Sequence, residues 1–148
     1  ITVDDSLKTT NKRVYAIGDV AGGLQFTHVA GYHAGVIIRS LLFGLPATAK
    51  HDHIPWATST APELAQVGLT EAQAREKYGD ALDVTRFEFA GNDRAIAEGK
   101  TTGLIKVMIV KGRPIGASIA GAGAGGAVGA AVWRSAGAAA WRSAGAAV

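Results

Sequence analysis

Cysteine is missing from all 148 residues. That excludes a disulfide scaffold, a zinc–cysteinate site and any thiol chemistry carried out by this chain itself. Long runs of one charge are missing too. Fifteen Lys and Arg against 12 Asp and Glu leave a net charge of +3. The longest basic run is the pair Lys12-Arg13, with no stripe of basic and aromatic residues around it. A nucleic-acid partner therefore has no footprint here. No GxGxxG, P-loop, HExxH or GxSxG motif occurs. No His, Asp or Glu cluster has metal-ligand spacing apart from His51-Asp-His53, and that triplet reads as a solvated linker. No catalytic residue and no metal ligand is assigned.

The first eight residues, Ile1-Thr-Val-Asp-Asp-Ser-Leu-Lys8, lack an apolar core and do not read as a signal peptide. The expected location is the cytoplasm. Ile115 to Val132 runs 18 residues without a charge, and Gly121 and Gly125 give a small-xxx-small pattern. Only Ile115, Ile119, Val128 and Val132 in it are strongly apolar, and Gly and Ala add little insertion energy. A buried strand running into a helix is expected, not a membrane span.

What is present is uneven. Seven of the 20 glycines fall between Gly121 and Val148. The tail repeats Trp133-Arg-Ser-Ala-Gly-Ala-Ala139 as Trp141-Arg-Ser-Ala-Gly-Ala-Ala147. Such a spacing is far too short for a repeat domain. Residues 126–148 read as low complexity: an artefact of sequence, an expression scar or a plain Ala-rich helix.

The length suits one ordinary domain, or a small domain with a piece of another. Val14-Tyr-Ala-Ile17 is apolar and β-prone and stops at Gly18-Asp19, which predicts a buried strand ending in a loop. A Gly-rich loop leads to Thr27, a candidate N-cap. A mostly buried helix is expected from about His28 to Phe43, because its apolar stripe is broad, with Gly44 and Pro46 ending it. Ala47 to Asp52 reads as a polar connector and the domain boundary. Ile54–Thr60 and Pro62–Gly68 read as short extended segments. Thr70-Glu-Ala-Gln73 is a capping box, starting a helix that ends near Tyr78-Gly79. Asp83–Phe89 alternates like a half-buried strand. Thr102–Val110 and Pro114–Ala120 are strands joined as a hairpin through Lys111-Gly112-Arg113. Strands with one capped helix argue for an α+β domain.

One unit is chemically suggestive. Gly18 lets backbone approach a ligand closely. Asp19 offers a carboxylate to ribose- or ribityl-type hydroxyls. The helix start beyond Thr27 offers N–H groups and a positive dipole end. Gly-Asp after a strand is also an ordinary turn, and the pattern alone leaves both readings open.

Thr10-Asn-Lys-Arg-Val-Tyr-Ala-Ile-Gly-Asp-Val20 resembles the second flavin-binding motif of the class I FAD-dependent pyridine nucleotide-disulfide oxidoreductases. That family includes dihydrolipoamide dehydrogenase, glutathione reductase and mercuric reductase. Phe26-Thr-His-Val-Ala30 resembles the segment at the pyrimidine end of the flavin. Residues 54–71 resemble the start of the C-terminal dimerisation domain. Arg94–Lys106 and Ile115–Gly121 are similar to its middle strands. The resemblance runs from about Ile1 to Gly125. It implies an α+β fold: the end of an FAD-binding domain over 1–50, then an interface domain over 51–125 with an antiparallel sheet flanked by helices. It implies FAD as cofactor, NAD(P)H in the parent protein and a homodimer with the remaining parts of that flavoenzyme. Asp19 would bind the ribityl chain, with Gly18 permitting the approach. Thr27, His28, Val29 and Ala30 would lie at the flavin N1–C2=O edge, where the helix dipole stabilises negative charge on reduced flavin.

The departures from the family matter equally. Its first FAD fingerprint, redox cysteine pair, nicotinamide domain and catalytic His-Glu pair are not in these residues. Gly126 stands where a Glu usually follows, and Ala61 where an Asp is common. The expectation is a piece of an enzyme, contributing flavin contacts and the dimer interface. The alternative is a stand-alone dimerisation module with no cofactor. Residue by residue, plainer readings stand alongside. His28 reads as a polar helix-start residue, His33 carries no ligand spacing, Glu63 is structural, and Trp56 belongs to core or interface. A chain without a thiolate cannot do dithiol chemistry. No NAD(P)H-dependent disulfide reduction is therefore expected from this chain alone; turnover above the no-protein rate in an NAD(P)H oxidation assay refutes that.

Overall fold

Leu7, only 2% exposed, gathers the first of two units around itself. The structure is a computed structural model that describes residues 1–128, and it divides into Ile1–His51 and Asp52–Val148. The repeated tail lies outside the described residues.

In the first unit the N-terminal chain doubles back on itself. Thr9 N–H donates to the Val14 carbonyl and Ala16 N–H to that of Leu7. Asp4 fixes the turn by accepting from the Ser6 and Lys8 N–H groups at 2.8 and 3.0 Å. Val14–Ile17 is not a buried strand. Only the isolated pairing of Lys8 with Tyr15 holds it, and Val14 and Ile17 are exposed. A strand needs a ladder partner on its flank, and none lies among the described residues. Helix α1, Thr27–Phe43, ends at Gly44 as expected. It is not mostly buried, however: Val29, His33 and Val36, at helical spacing, are its only fully buried residues. Ile38, Leu41, Leu42 and Phe43 stay exposed, because within this unit only Leu7, Ala49 and their neighbours pack on the helix. Ala47–Lys50 is no free connector. Ala49 is buried with its N–H on the Asp5 carbonyl, and the Lys50 N–H donates to Tyr32 Oη.

The second unit is a five-stranded antiparallel sheet. Its strands are β1 (Trp56–Thr58), β2 (Leu64–Gly68), β3 (Leu82–Glu88), β4 (Gly103–Val110) and β5 (Arg113–Gly121), in the order β1-β2-β5-β4-β3. Helix α2, Glu71–Tyr78, starts at the expected capping box, with Thr70 and Gln73 bonding each other's backbone. A second capped helix, α3 (Asp93–Ala97), was not expected; Asn92 caps it by accepting from Ala95 N–H. The β4–β5 hairpin closes through Lys111-Gly112, with Val110 opposite Arg113. Register slips by one residue at Met108/Ile109, next to Pro114, which has no N–H to give the ladder.

Alternation puts the two faces to different uses. On one, Ala74 of α2 covers Met108 and Leu82. On the other, Ala65 and Ile119 pack with Ala124 and Val128. The Phe89 ring lies against Gly103 and Gly121, which pair across the ladder. A Cβ on either glycine would come within 2.6 Å of that ring. Phe89 thus ends its strand and packs inward. Phe87 is 46% exposed on edge strand β3, so the expected alternation fails there. Glu63 is structural, as read: its carboxylate accepts from Gly125 N–H at 3.0 Å, at the start of the helical residues 124–128. Trp56 is half-buried in β1. Among the described residues no helix is long and apolar enough to cross a membrane.

Gln66 is buried and fully bonded, donating to the Val67 and Gly68 carbonyls and accepting from Ser118 Oγ. In the same cross-strand row, Lys106 and Arg86 reach over to Glu71 on α2. The Lys106 ammonium at 2.9 Å, then Arg75, hold the Glu71 carboxyl at about 2, against an ordinary 4.5. A lowered carboxyl favours the folded chain above its unfolded value, and that stability drains away as pH falls toward the folded one. Glu71→Gln is expected to lower stability at neutral pH, with the gap to wild type closing between pH 4.5 and about 2. Urea unfolding across that range checks it.

Candidate functional site

The turn at Gly18 is built by what lies beneath it. Ala16 is buried and anchors the incoming chain. Gly18 then takes φ +67°, a left-handed conformation that costs glycine little. A Cβ there would stand 3.0 Å from the Ala30 Cβ, so the turn lies directly on α1. The Gly18 N–H donates to His33 Nδ1 at 3.1 Å in a buried bond. Ala30 and His33 are three residues apart and share one face of α1. Residues Gly18–Ala21 form a single 3-10 turn, closed by Gly22 N–H on the Asp19 carbonyl.

Asp19 is exposed, and among the described residues its carboxylate has no hydrogen bond or ion pair. Thr27 is the first residue of α1, not its cap. Phe26 occupies the cap position in extended conformation, and its carbonyl accepts from Val29 and Ala30. Among the described residues no side chain caps this end and no acidic residue lies in its first turn. Thr27 and His28 are exposed, the His28 ring stacked on Phe26. Val29 is fully buried, so it offers a ligand backbone only. The structure thus brings Gly18 and Ala30 together and leaves Asp19 and the helix start open.

Sequence reasoning missed His33. It is 1% exposed, and its Nε2 lies 2.7 Å from Nε2 of His51. Because Nδ1 accepts from Gly18, the proton of neutral His33 sits on Nε2 and is donated to His51. Burial, then the neighbouring His51, push the His33 pKa below its ordinary value. The signal was legible: His33 falls between Val29 and Val36 on the inward stripe. His51 is exposed on its other side, and His53 lies 3.7 Å from Asp52. No group of three or more metal-binding side chains occurs among the described residues.

These residues fit a flavin nucleotide. A backbone cradle without Cβ, an unpaired carboxylate beside it and an uncapped helix start supply what a polyhydroxyl chain and an electron-rich ring edge require.

Residues 54–142 match the pyridine nucleotide-disulphide oxidoreductase dimerisation domain. The chain belongs to this oxidoreductase family. Its antiparallel sheet with flanking helices is the expected interface-domain fold. A mercuric reductase from Bacillus cereus is 41% identical over 108 residues, 73% of this chain and 17% of the relative. A dihydrolipoyl dehydrogenase from Rhizobium etli is 41% identical over 126 residues, 82% of this chain and 26% of the relative. Among solved structures, the HOCl-induced flavoprotein disulfide reductase RclA from Escherichia coli superposes with a TM-score of 0.79 at 31% identity. That match covers 90% of this chain and 31% of that one. The chain therefore spans about a quarter or less of these curated relatives.

Proposed function

We propose that this chain supplies one end of an FAD site and the homodimer interface of a flavin- and NAD(P)H-dependent disulfide oxidoreductase. The cradle at Gly18 carries the reading. It packs against α1 so closely that a Cβ would stand 3.0 Å from that of Ala30, at a φ of +67° that disfavours a side chain, and it delivers Asp19 to solvent unpaired. Similarity over 126 residues, longer than 54–142 alone, favours this over a stand-alone dimerisation module.

When bound, the flavin passes electrons between a nicotinamide and a disulfide. The chain's own part is to bind and to polarise. Asp19 would accept from ribityl-type hydroxyls, with Gly18 letting the backbone come close. Thr27 and His28 would place the positive end of α1 toward the pyrimidine edge, with Val29 and Ala30 contributing backbone. Charge on reduced flavin is lowest in energy at such an end. The homodimer reading draws on the second unit, where Leu64, Phe87 and Ile96 are 45%, 46% and 54% exposed. A second subunit would take such apolar surface out of water.

Hydrogen bonds to an ionised carboxylate contribute about 1.5–3 kcal/mol each. Asp19→Ala is expected to weaken FAD retention in the complete flavoenzyme by about one to two orders of magnitude, and Asp19→Asn by less. Fluorescence of released flavin during dialysis measures it; full retention by Asp19→Ala would return this turn to an ordinary one. Sedimentation at roughly tens of micromolar should show a dimer, and a purely monomeric boundary would sink the interface reading.

A further inference from the structure

We propose that His33 is a positioning residue that clamps the Gly18–Asp19 turn in its cofactor-binding shape, and that protonation of the His33–His51 pair releases the clamp. The effect on flavin rests on the function proposed above; the clamp itself does not.

The geometry leaves one proton arrangement. The Gly18 N–H is a fixed donor, so His33 Nδ1 must carry a lone pair. Nε2 must then carry the proton, and it finds the His51 Nε2 lone pair at 2.7 Å. Four nitrogens in a row share two protons, and the bonds run in one direction, Gly18 to His33 to His51. A further proton on His33 lands on Nδ1 and turns two donors against each other at 3.1 Å. A further proton on His51 Nε2 sets its N–H against that of His33. Protonation at either of these nitrogens breaks the chain of bonds that ends on the turn.

Among the described residues no carboxylate bonds to either imidazole: the N-terminal segment packed on α1 brings Asp4, held by the Ser6 and Lys8 N–H groups, together with Asp5 and Lys8, and none of them pairs with His33 or His51. On α1 itself the neighbour is Tyr32, its ring centroid 6.0 Å from that of His33, and its Oη accepts from the Lys50 N–H. Residues 47–51 bring Lys50 and His51 itself, both cationic or neutral and never anionic. The 3-10 turn brings Asp19, which is exposed and bonded to neither imidazole. Burial and the His51 charge both press His33 toward neutrality, in keeping with this arrangement. The switch therefore works below the ordinary histidine value of 6.5. Above it the clamp is closed; a proton gained by His33 below it lets the turn go. Asp19 is the next residue along, so its carboxylate moves with the Gly18 amide.

Asparagine separates clamp from charge, because its side-chain oxygen can stand where Nδ1 stands and does not titrate. The direct readout uses the full chain, following imidazole nitrogen and Gly18 amide chemical shifts by NMR from pH 8 to 4, with no flavin present. The expected result is a Nε2–H tautomer for His33, a midpoint below 6.5, and a Gly18 amide that moves with that midpoint. His51→Gln should shift the midpoint upward. A Gly18 amide that stays still while His33 titrates, or a Nδ1–H tautomer, overturns the clamp. The second readout is FAD affinity in the complete flavoenzyme at pH 7.5 and 5.5. Loss of one hydrogen bond predicts a weakening of about three- to tenfold for wild type between these values. His33→Asn should bind as wild type at the higher pH and lose nothing at the lower. Equal pH dependence in wild type and His33→Asn overturns the proposal. If FAD fails to bind while Gly18 still follows His33, the clamp stands and the flavin reading falls.

Discussion

Strand β5 is the member on which the second unit depends. It pairs along its length with β4 on one side and β2 on the other, and β1 and β3 reach the sheet only through those two. Its pairing with β4 is local in sequence, closed by a two-residue turn, so its entropy cost is small. The pairing with β2 must bring together segments some fifty residues apart. Gly116 makes that closure possible: the chain leaving β2 crosses it so tightly that a Cβ would stand 2.0 Å from the Leu69 carbonyl oxygen. Where the two central strands end, Gly103 and Gly121 pair, and Phe89 covers the gap that their missing side chains leave.

The first unit follows a similar economy. A small residue allows backbone to come close, and one larger side chain fills or fixes the space. Gly18 rests on Ala30, and His33 takes its N–H. The difference lies in the chemistry. Phe89 does its work by shape alone, whereas His33 uses a lone pair that a proton can occupy. The turn that presents Asp19 is therefore coupled to a titratable group, and the packing of Phe89 on Gly103 and Gly121 is not.

Much of the second unit was legible. Thr70-Glu-Ala-Gln73 marked the start of α2, the strands at 56–58, 64–68 and 103–110 fell within the runs expected for them, and the strand at 113–121 extends the expected Pro114–Ala120 by one residue at each end. Their signals are local: capping chemistry, alternation and turn residues act within four or five positions. Helix α3 was overlooked because it is five residues long, too short to show a period, though Asn92 carried the cap signal. The first unit was less legible. Val14–Ile17 has strand composition but no ladder, and α1 has the composition of a buried helix with most of its apolar face uncovered. Composition reports what a segment can bury and not whether a partner is there to bury it.

By itself the sequence determined the capping box, the β4–β5 hairpin, the ordered motifs of an oxidoreductase family and a turn at Gly18-Asp19. Each is written in neighbouring residues, where propensity and turn geometry decide. Only the tertiary structure decided that Gly18 bonds to His33, that His33 faces His51, and that Lys106 and Arg86 converge on Glu71. Those contacts join residues 15 to 35 positions apart. Their existence depends on which faces of helix and sheet are brought together, a property of packing that no local pattern encodes.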